Sequence, residues 1–235
     1  MIKLTTQQLA QILNANLIGD DQVVVENINT DTRKSVSNSL FFALKGEHFD
    51  AHQYLDKAVE QGATALVVQQ ANTEIATPQL VVADTRLALG QLAKWLREKI
   101  NPRTVAMTGS SGKTAVKEMT ASILQQTAGN PEAVLFTNGN FNNDIGVPLT
   151  LLRLTEQHKF AIIELGANHQ GEIDYTTHLA QPEAALVNNV AAAHLEGFGS
   201  IEGVARAKGE IYRGLTTNGV AIINSEHNYI ELWQK

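Results

Sequence analysis

Two rhythms alternate along the chain. Short apolar or β-branched runs are separated by stretches in which apolar residues recur every three or four positions. Thr5–Asn14 places Leu9, Ile12 and Leu13 on one face behind a capping threonine, which predicts a short helix. Strands are predicted over 23–28, 40–44, 65–68 and 80–82, with a helix over 53–61. Several strands and few helices make residues 1–84 a small α/β domain. Asp84 is a candidate N-cap for a helix carrying Ala88, Leu92, Trp95, Leu96 and Lys99 on one face, stopped by Asn101-Pro102. Residues 85–101 are therefore read as a connecting helix.

From residue 102 to 235 the alternation becomes regular. Strand 103–108, helix 113–127, strand 134–137, helix 145–154, strand 159–165, helix 172–180, strand 184–190, helix 200–214 and strand 219–224 follow one another. This order predicts a mostly parallel, doubly wound sheet, in which right-handed crossovers bring the loops after the strands to one edge.

Polar residues collect at those strand ends. Thr108, Gly109, Ser110, Ser111, Gly112, Lys113 and Thr114 lie between a strand and a helix, the setting a phosphate-binding loop requires. Lys113 is expected to meet the β- and γ-phosphates of the bound group, and the Thr114 hydroxyl to ligate Mg²⁺. Met107 stands where the full pattern has its first glycine, so the loop is a shortened one, and a plain connecting turn is the alternative. Next comes Thr137-Asn-Gly-Asn-Phe-Asn-Asn-Asp144, whose amides can orient an anion without adding charge. In Phe160-Ala-Ile-Ile-Glu-Leu-Gly166, Glu164 ends an apolar strand, where a carboxylate needs a metal or a salt bridge to a lysine. His194 lies in a glycine-containing loop on the same edge. Lys208 falls on the apolar face of its helix, between Val204 and Ile211. It would be paired, neutral or modified there, or it would snorkel past Gly209 to solvent.

In residues 1–84, loops 29–33 and 45–52 follow buried strands. Arg33, Lys45, His48 and His52 could hold a pyrophosphate there. Alternatively, Asp31 and Arg33 pair within the turn and the histidines are solvated.

Composition narrows the classes. There is no cysteine, hence no disulfide framework and no thiol chemistry. Net charge is −6, and neither part of the chain offers the basic field of a nucleic-acid binder. No run reaches the ~18 apolar residues of a membrane helix, and the N-terminus lacks a signal-peptide core. A cytoplasmic protein is expected, without membrane insertion.

Six segments, taken together, resemble the ATP-dependent Mur ligases of peptidoglycan synthesis. They are Thr30-Asp-Thr-Arg33, Phe42–His52, Thr108–Thr114, Gly139–Pro148, Glu164–Ile173 and His194–Ser200. Within the family the likeness is to the branch that adds D-Ala-D-Ala to a UDP-N-acetylmuramoyl tripeptide, ahead of the diaminopimelate- or lysine-adding branch. The resemblance implies that Thr30, Asp31, Thr32, Arg33, Lys45, Gly46, His52, Asn140, Asn142 and Asn143 bind the UDP-linked substrate, and that residues 108–114 bind ATP. It implies a metal set of Thr114, Glu164, His194 and a carbamylated Lys208 around two Mg²⁺ ions, with Lys113, Glu164, His194 and Lys208 catalytic. It further implies a reaction through an acyl phosphate, and a monomer is expected. Members of the family continue through more of the central sheet and a third domain. The chain is therefore expected to be an amino-terminal portion ending inside the central domain, and by itself either part of a ligase or a binding module without turnover.

Overall fold

The computed structural model describes residues 3–192, 195–224 and 228–234. Contacts divide the chain into two units, Met1–Trp95 and Leu96–Lys235.

The first unit opens with β1 (Leu4–Thr5) and α1 (Thr6–Leu13), whose N-terminus is closed by a reciprocal capping box between Thr5 and Gln8. Then come β2 (Asn16–Ile18), β3 (Val24–Val25), β4 (Asn27–Asn29), β5 (Ser39–Phe42), α2 (Leu55–Glu60), β6 (Ala63–Val68) and β7 (Gln79–Val81). The main sheet has the order β2-β7-β6-β5-β4, parallel except for the β2–β7 pair. The expected strand over 23–28 is two strands. β3 pairs with β1 in a separate ribbon, and β4 pairs with β5. The chain changes partners at Glu26, which Lys3 holds by an ion pair. Phe41, Leu66 and Val68 pack with Ala51, Leu55 and Ala58 as the core against α2. Each such large apolar side chain contributes about 1.5–3 kcal/mol by leaving water.

α3 (Thr85–Ile100) crosses from one unit to the other, with the Asp84 carboxylate accepting from the backbone N–H groups of Arg86 and Leu87 at its start. The second unit continues with β8 (Arg103–Thr108), α4 (Lys113–Ala128), β9 (Val134–Phe136), α5 (Gly146–Leu151), β10 (Phe160–Glu164) and α6 (Glu172–Ala180). β11 (Ala184–Val187), α7 (Leu195–Phe198), α8 (Ile201–Gly209), β12 (Val220–Ile223) and α9 (Ile230–Trp233) complete it. All five strands are parallel, in the order β12-β11-β8-β10-β9. The β8 end therefore lies where the direction of winding reverses, the position at which such sheets bind ligands. Ile162 and Met107 pack under Ala121 of α4, and β10 is buried over most of its length, which explains its unbroken apolar run. The expected helix 200–214 is α-helical only to Gly209 and then tightens into a 3-10 turn over Glu210–Gly214. In that turn Glu210 reaches across to accept from the N–H groups of Gly171 and Asp174 at the start of α6.

Candidate nucleotide and substrate sites

The phosphate loop leaves β8 at Thr108 and enters α4 at Lys113 through Gly112, which has φ 72°. A side chain at Gly112 would be strained by that angle and would also meet the Asn188 amide at 2.8 Å. The Lys113 ammonium folds back onto the loop and donates to the Gly109 carbonyl at 2.8 Å. The first turn of α4 presents its dipole to the same space.

Glu164 stands opposite. It is 2% exposed, one strand from the loop, in register with Met107. Its carboxylate accepts from the Thr114 hydroxyl at 3.2 Å and from the Asn142 amide at 2.9 Å. Both partners are neutral, and among the described residues no lysine forms the alternative salt bridge. A buried carboxylate with a hydroxyl beside it and no cation is an oxygen donor set that suits Mg²⁺. Among the described residues no three His, Asp or Glu side chains cluster as a ready-made metal site. His194, expected in that set, lies outside the described residues.

Lys208 is 3% exposed, so it does not snorkel. Burial first, and the charge of Lys113 second, push its ammonium down from 10.5 to about 8. Lys208 lines a cavity of about 160 Å³ with Gly109, Ser110, Lys113, Asn142, Asn143 and Glu172. The cavity is smaller than the ~300–1,000 Å³ of a site for a whole small molecule, so it fits a phosphate-sized group. Asn142 and Asn143, expected with the UDP-linked substrate, lie here beside the phosphate loop. Asn140 is exposed.

Two residues escaped the sequence reading. Asn188 and Asn189 follow β11 and latch the loop. Asn189 accepts from the Ser111 N–H at 2.9 Å and donates to the Ser111 carbonyl and hydroxyl, while Asn188 donates to the Ser111 carbonyl at 2.8 Å. Ser110 exchanges hydrogen bonds with the Ala191 backbone through its hydroxyl. A polar pair at the end of an apolar strand was the available signal, the same one that marked Glu164.

In the first unit the two polar loops line different hollows. Thr30, Asp31, Thr32 and Arg33 line one of about 590 Å³ with Phe49, Tyr54 and Lys57. The Phe49 and Tyr54 rings are stacked 5.5 Å apart there, and both are exposed, a flat surface suited to a planar base. Arg33 grips Asp31 through two bonds, at 2.8 and 2.9 Å, and holds its carboxyl down at about 2. The turn ion pair is therefore the state observed. Lys45 and His52 line the second hollow, of about 540 Å³, with Gln69 and Asn72. His52 is not solvated. Its Nδ1 lies 2.6 Å from the Asp50 carboxylate and its Nε2 accepts from the Gln69 N–H at 2.9 Å, so both nitrogens are used within the fold. Gly46 donates its N–H to the Phe49 carbonyl, tightening the turn between Lys45 and Asp50.

A glycine loop at the switch point of a parallel sheet, faced by a buried carboxylate, defines a nucleotide-binding α/β domain. Residues 107–235 match the Mur ligase middle domain, and residues 24–96 match the model described as Mur ligase family, catalytic domain. The chain belongs to the Mur ligase family. It is 80% identical over 235 residues to the UDP-N-acetylmuramoyl-tripeptide–D-alanyl-D-alanine ligase of Haemophilus influenzae, covering all of this chain and 51% of that protein. The crystal structure of MurF from Acinetobacter baumannii superposes with a TM-score of 0.94 at 44% identity, over all of this chain and 51% of that one. MurF ligase from Thermotoga maritima, solved in complex with ADP, gives 0.80 at 27% identity, over 89% of this chain and 48% of that one. The chain spans about half the length of the curated relatives it matches. Among the described residues no helix is long and apolar enough to cross a membrane.

Proposed function

We propose that this chain supplies the UDP-substrate and nucleotide sites of a cytoplasmic, monomeric, ATP-dependent ligase. That ligase joins D-Ala-D-Ala to a UDP-N-acetylmuramoyl tripeptide in peptidoglycan precursor synthesis. In this reading residues 1–84 hold the UDP-linked substrate, 85–101 are the connecting helix and 102–235 hold ATP. The observation that carries it is Glu164, buried without a cation and bonded to the hydroxyl of the phosphate-loop threonine. The family membership and the ligase relatives point the same way.

The chemistry is an amide synthesis through an acyl phosphate. The tripeptide carboxylate takes the γ-phosphoryl group and releases ADP. The amine of D-Ala-D-Ala then displaces phosphate through a tetrahedral intermediate. Most of the acceleration comes from positioning and charge neutralisation. Lys113 leaves the Gly109 carbonyl and meets the phosphates. Thr114 and Glu164 would hold Mg²⁺, which would supply charge neutralisation at the phosphates, and His194 is the further ligand the family resemblance implies. Lys208, with its ammonium already pushed down, has an amine that adds to carbon dioxide and releases one proton to solvent. The resulting carbamate replaces a repulsion from Lys113 with an attraction and can hold a second Mg²⁺. Arg33 exchanges Asp31 for a substrate phosphate, Thr30 and Thr32 line the same hollow, and the Phe49–Tyr54 pair stacks on the base. Lys45, whose ammonium lies 3.8 Å from the Asp50 carboxylate, provides an exposed cation beside Gly46, with His52 bracing that loop.

Calorimetric titration of the chain with the UDP-linked tripeptide, and separately with ATP and Mg²⁺, tests the two sites. Binding of both supports the reading, and binding of neither overturns it. Phosphate release dependent on D-Ala-D-Ala would show that the chain turns over by itself. Saturable binding without release would make it a binding portion of the ligase. In the full-length ligase, Lys208→Ala should abolish activity, and short carboxylic acids should partly restore it.

A further inference from the structure

Lys117 is the most deeply buried cation among the described residues, at 1% exposure, and none of the chemistry above uses it. It lies one helical turn after Lys113 in α4. Its ammonium donates to the Thr137 carbonyl at 2.7 Å and lies 3.1 Å from the Glu118 carboxylate, itself largely exposed. The Phe136 ring is beneath it, with its centroid 5.9 Å away.

Thr137 is fully buried and held on three sides. Its N–H donates to the Ile162 carbonyl, its hydroxyl accepts from the Glu164 N–H at 2.9 Å, and its carbonyl accepts from Lys117. Thr137 is also the hinge from which the asparagine loop starts. That loop returns to the same place, where Asn142 donates its amide to Glu164 and accepts from the Gly166 N–H. A methionine or leucine at 117 would fill the same volume without the cost of taking an ammonium out of water. What an apolar side chain cannot do is hold one carbonyl at one distance from α4.

We infer that Lys117 is a positioning residue of the nucleotide site. It fastens Thr137 to the helix that carries Lys113 and Thr114, and so sets Glu164 between the Thr114 hydroxyl and the Asn142 amide. The inference rests on the proposed Mg²⁺–nucleotide reading of that site. Groups that hold a metal ligand from behind commonly govern metal affinity ten- to a hundredfold.

The test is calorimetric binding of ADP to the chain, with and without Mg²⁺, in the wild type, Lys117→Met and Thr137→Val. The Thr137→Val variant keeps the Lys117–carbonyl bond and removes only the hydroxyl that accepts from Glu164. Both variants should lose about tenfold or more of the Mg²⁺-dependent gain in ADP affinity. Both should keep Mg²⁺-free ADP binding and binding of the UDP-linked tripeptide within about twofold of wild type. Amide exchange at Glu164 and Asn142 should quicken in Lys117→Met without ligand. A folded Lys117→Met with the full Mg²⁺ gain and unchanged exchange overturns the inference while leaving the nucleotide reading intact. Should Lys117→Met not fold, a full Mg²⁺ gain in Thr137→Val overturns it. A wild-type chain that gains nothing from Mg²⁺ overturns the nucleotide reading itself, and the inference with it.

Discussion

Lys208→Met should change the pH dependence of stability of the unit that carries α8. The ammonium sits at 10.5 in an ordinary environment and at about 8 in the fold, because it is buried and faces Lys113. The folded state therefore gives up its proton while the unfolded chain still holds one. Between about pH 8 and 10.5 the unfolded state binds more protons, so the wild type becomes more stable as pH rises. Below that window both states are protonated and the burial penalty is present in full. Above it both are neutral and the penalty is gone. At about 1.4 kcal/mol per pH unit, the whole shift corresponds to about 3 kcal/mol, an upper figure because water reaching the cavity would reduce it. Methionine has no proton to lose, so Lys208→Met should lack this rise. Urea unfolding of both proteins in buffer freed of carbon dioxide, so that Lys208 stays a free amine, from pH 7 to pH 10.5 and followed by circular dichroism, reads the difference directly. Parallel curves for wild type and variant would refute the reasoning, since a solvated or ion-paired Lys208 would give no such slope.

Asn189→Ala removes three hydrogen bonds to Ser111 and should weaken ADP binding by roughly tenfold or more; unchanged affinity in calorimetry would mean that the loop holds its shape alone. For Asp31, NMR titration should give a carboxyl near 2 in the wild type and a return toward 3.8 in Arg33→Ala. Its folded-state value is depressed, so its contribution to stability is present above about pH 4 and lost as pH falls toward 2. Gly146→Ala would place a methyl 2.4 Å from the Phe141 carbonyl carbon. It should cost about 1–3 kcal/mol by overpacking, seen as a lower melting temperature, and an unchanged melt would show that the asparagine loop yields freely.

The parallel nucleotide domain was legible because its signals are local. Apolar runs gave β8 its observed bounds, Arg103–Thr108, and helical spacing placed Lys208 on the inward face, where it is buried. Less legible was whatever depends on a distant partner. The valines of 23–25 look like the start of one strand with Asn27–Asn29, and only the pairing with β1 and β5 separates them. His52 looked free to bind an anion because Gln69, which donates to it, is 17 positions away. Lys117 reads as one more charge on an amphipathic helix, and nothing local says that Thr137 will need a donor. The serines of the phosphate loop look in the sequence like anion ligands alone, whereas in the fold they also meet the segment after β11.

That last contact bears on how the chain is made. Asn189 meets Ser111 across 78 positions, and β8 pairs with β10 and β11 but with neither neighbour in sequence. A ribosome adding ~5–20 residues per second exposes the loop several seconds before the residues that hold it. Until then the loop has no latch, and β8 has only β10 of its two flanking strands. Nucleotide should therefore stabilise this domain during synthesis only once β11 and the asparagines after it have emerged. In the first unit β4, β5 and β6 pair in chain order within residues 27–68, and only β2 must wait for β7.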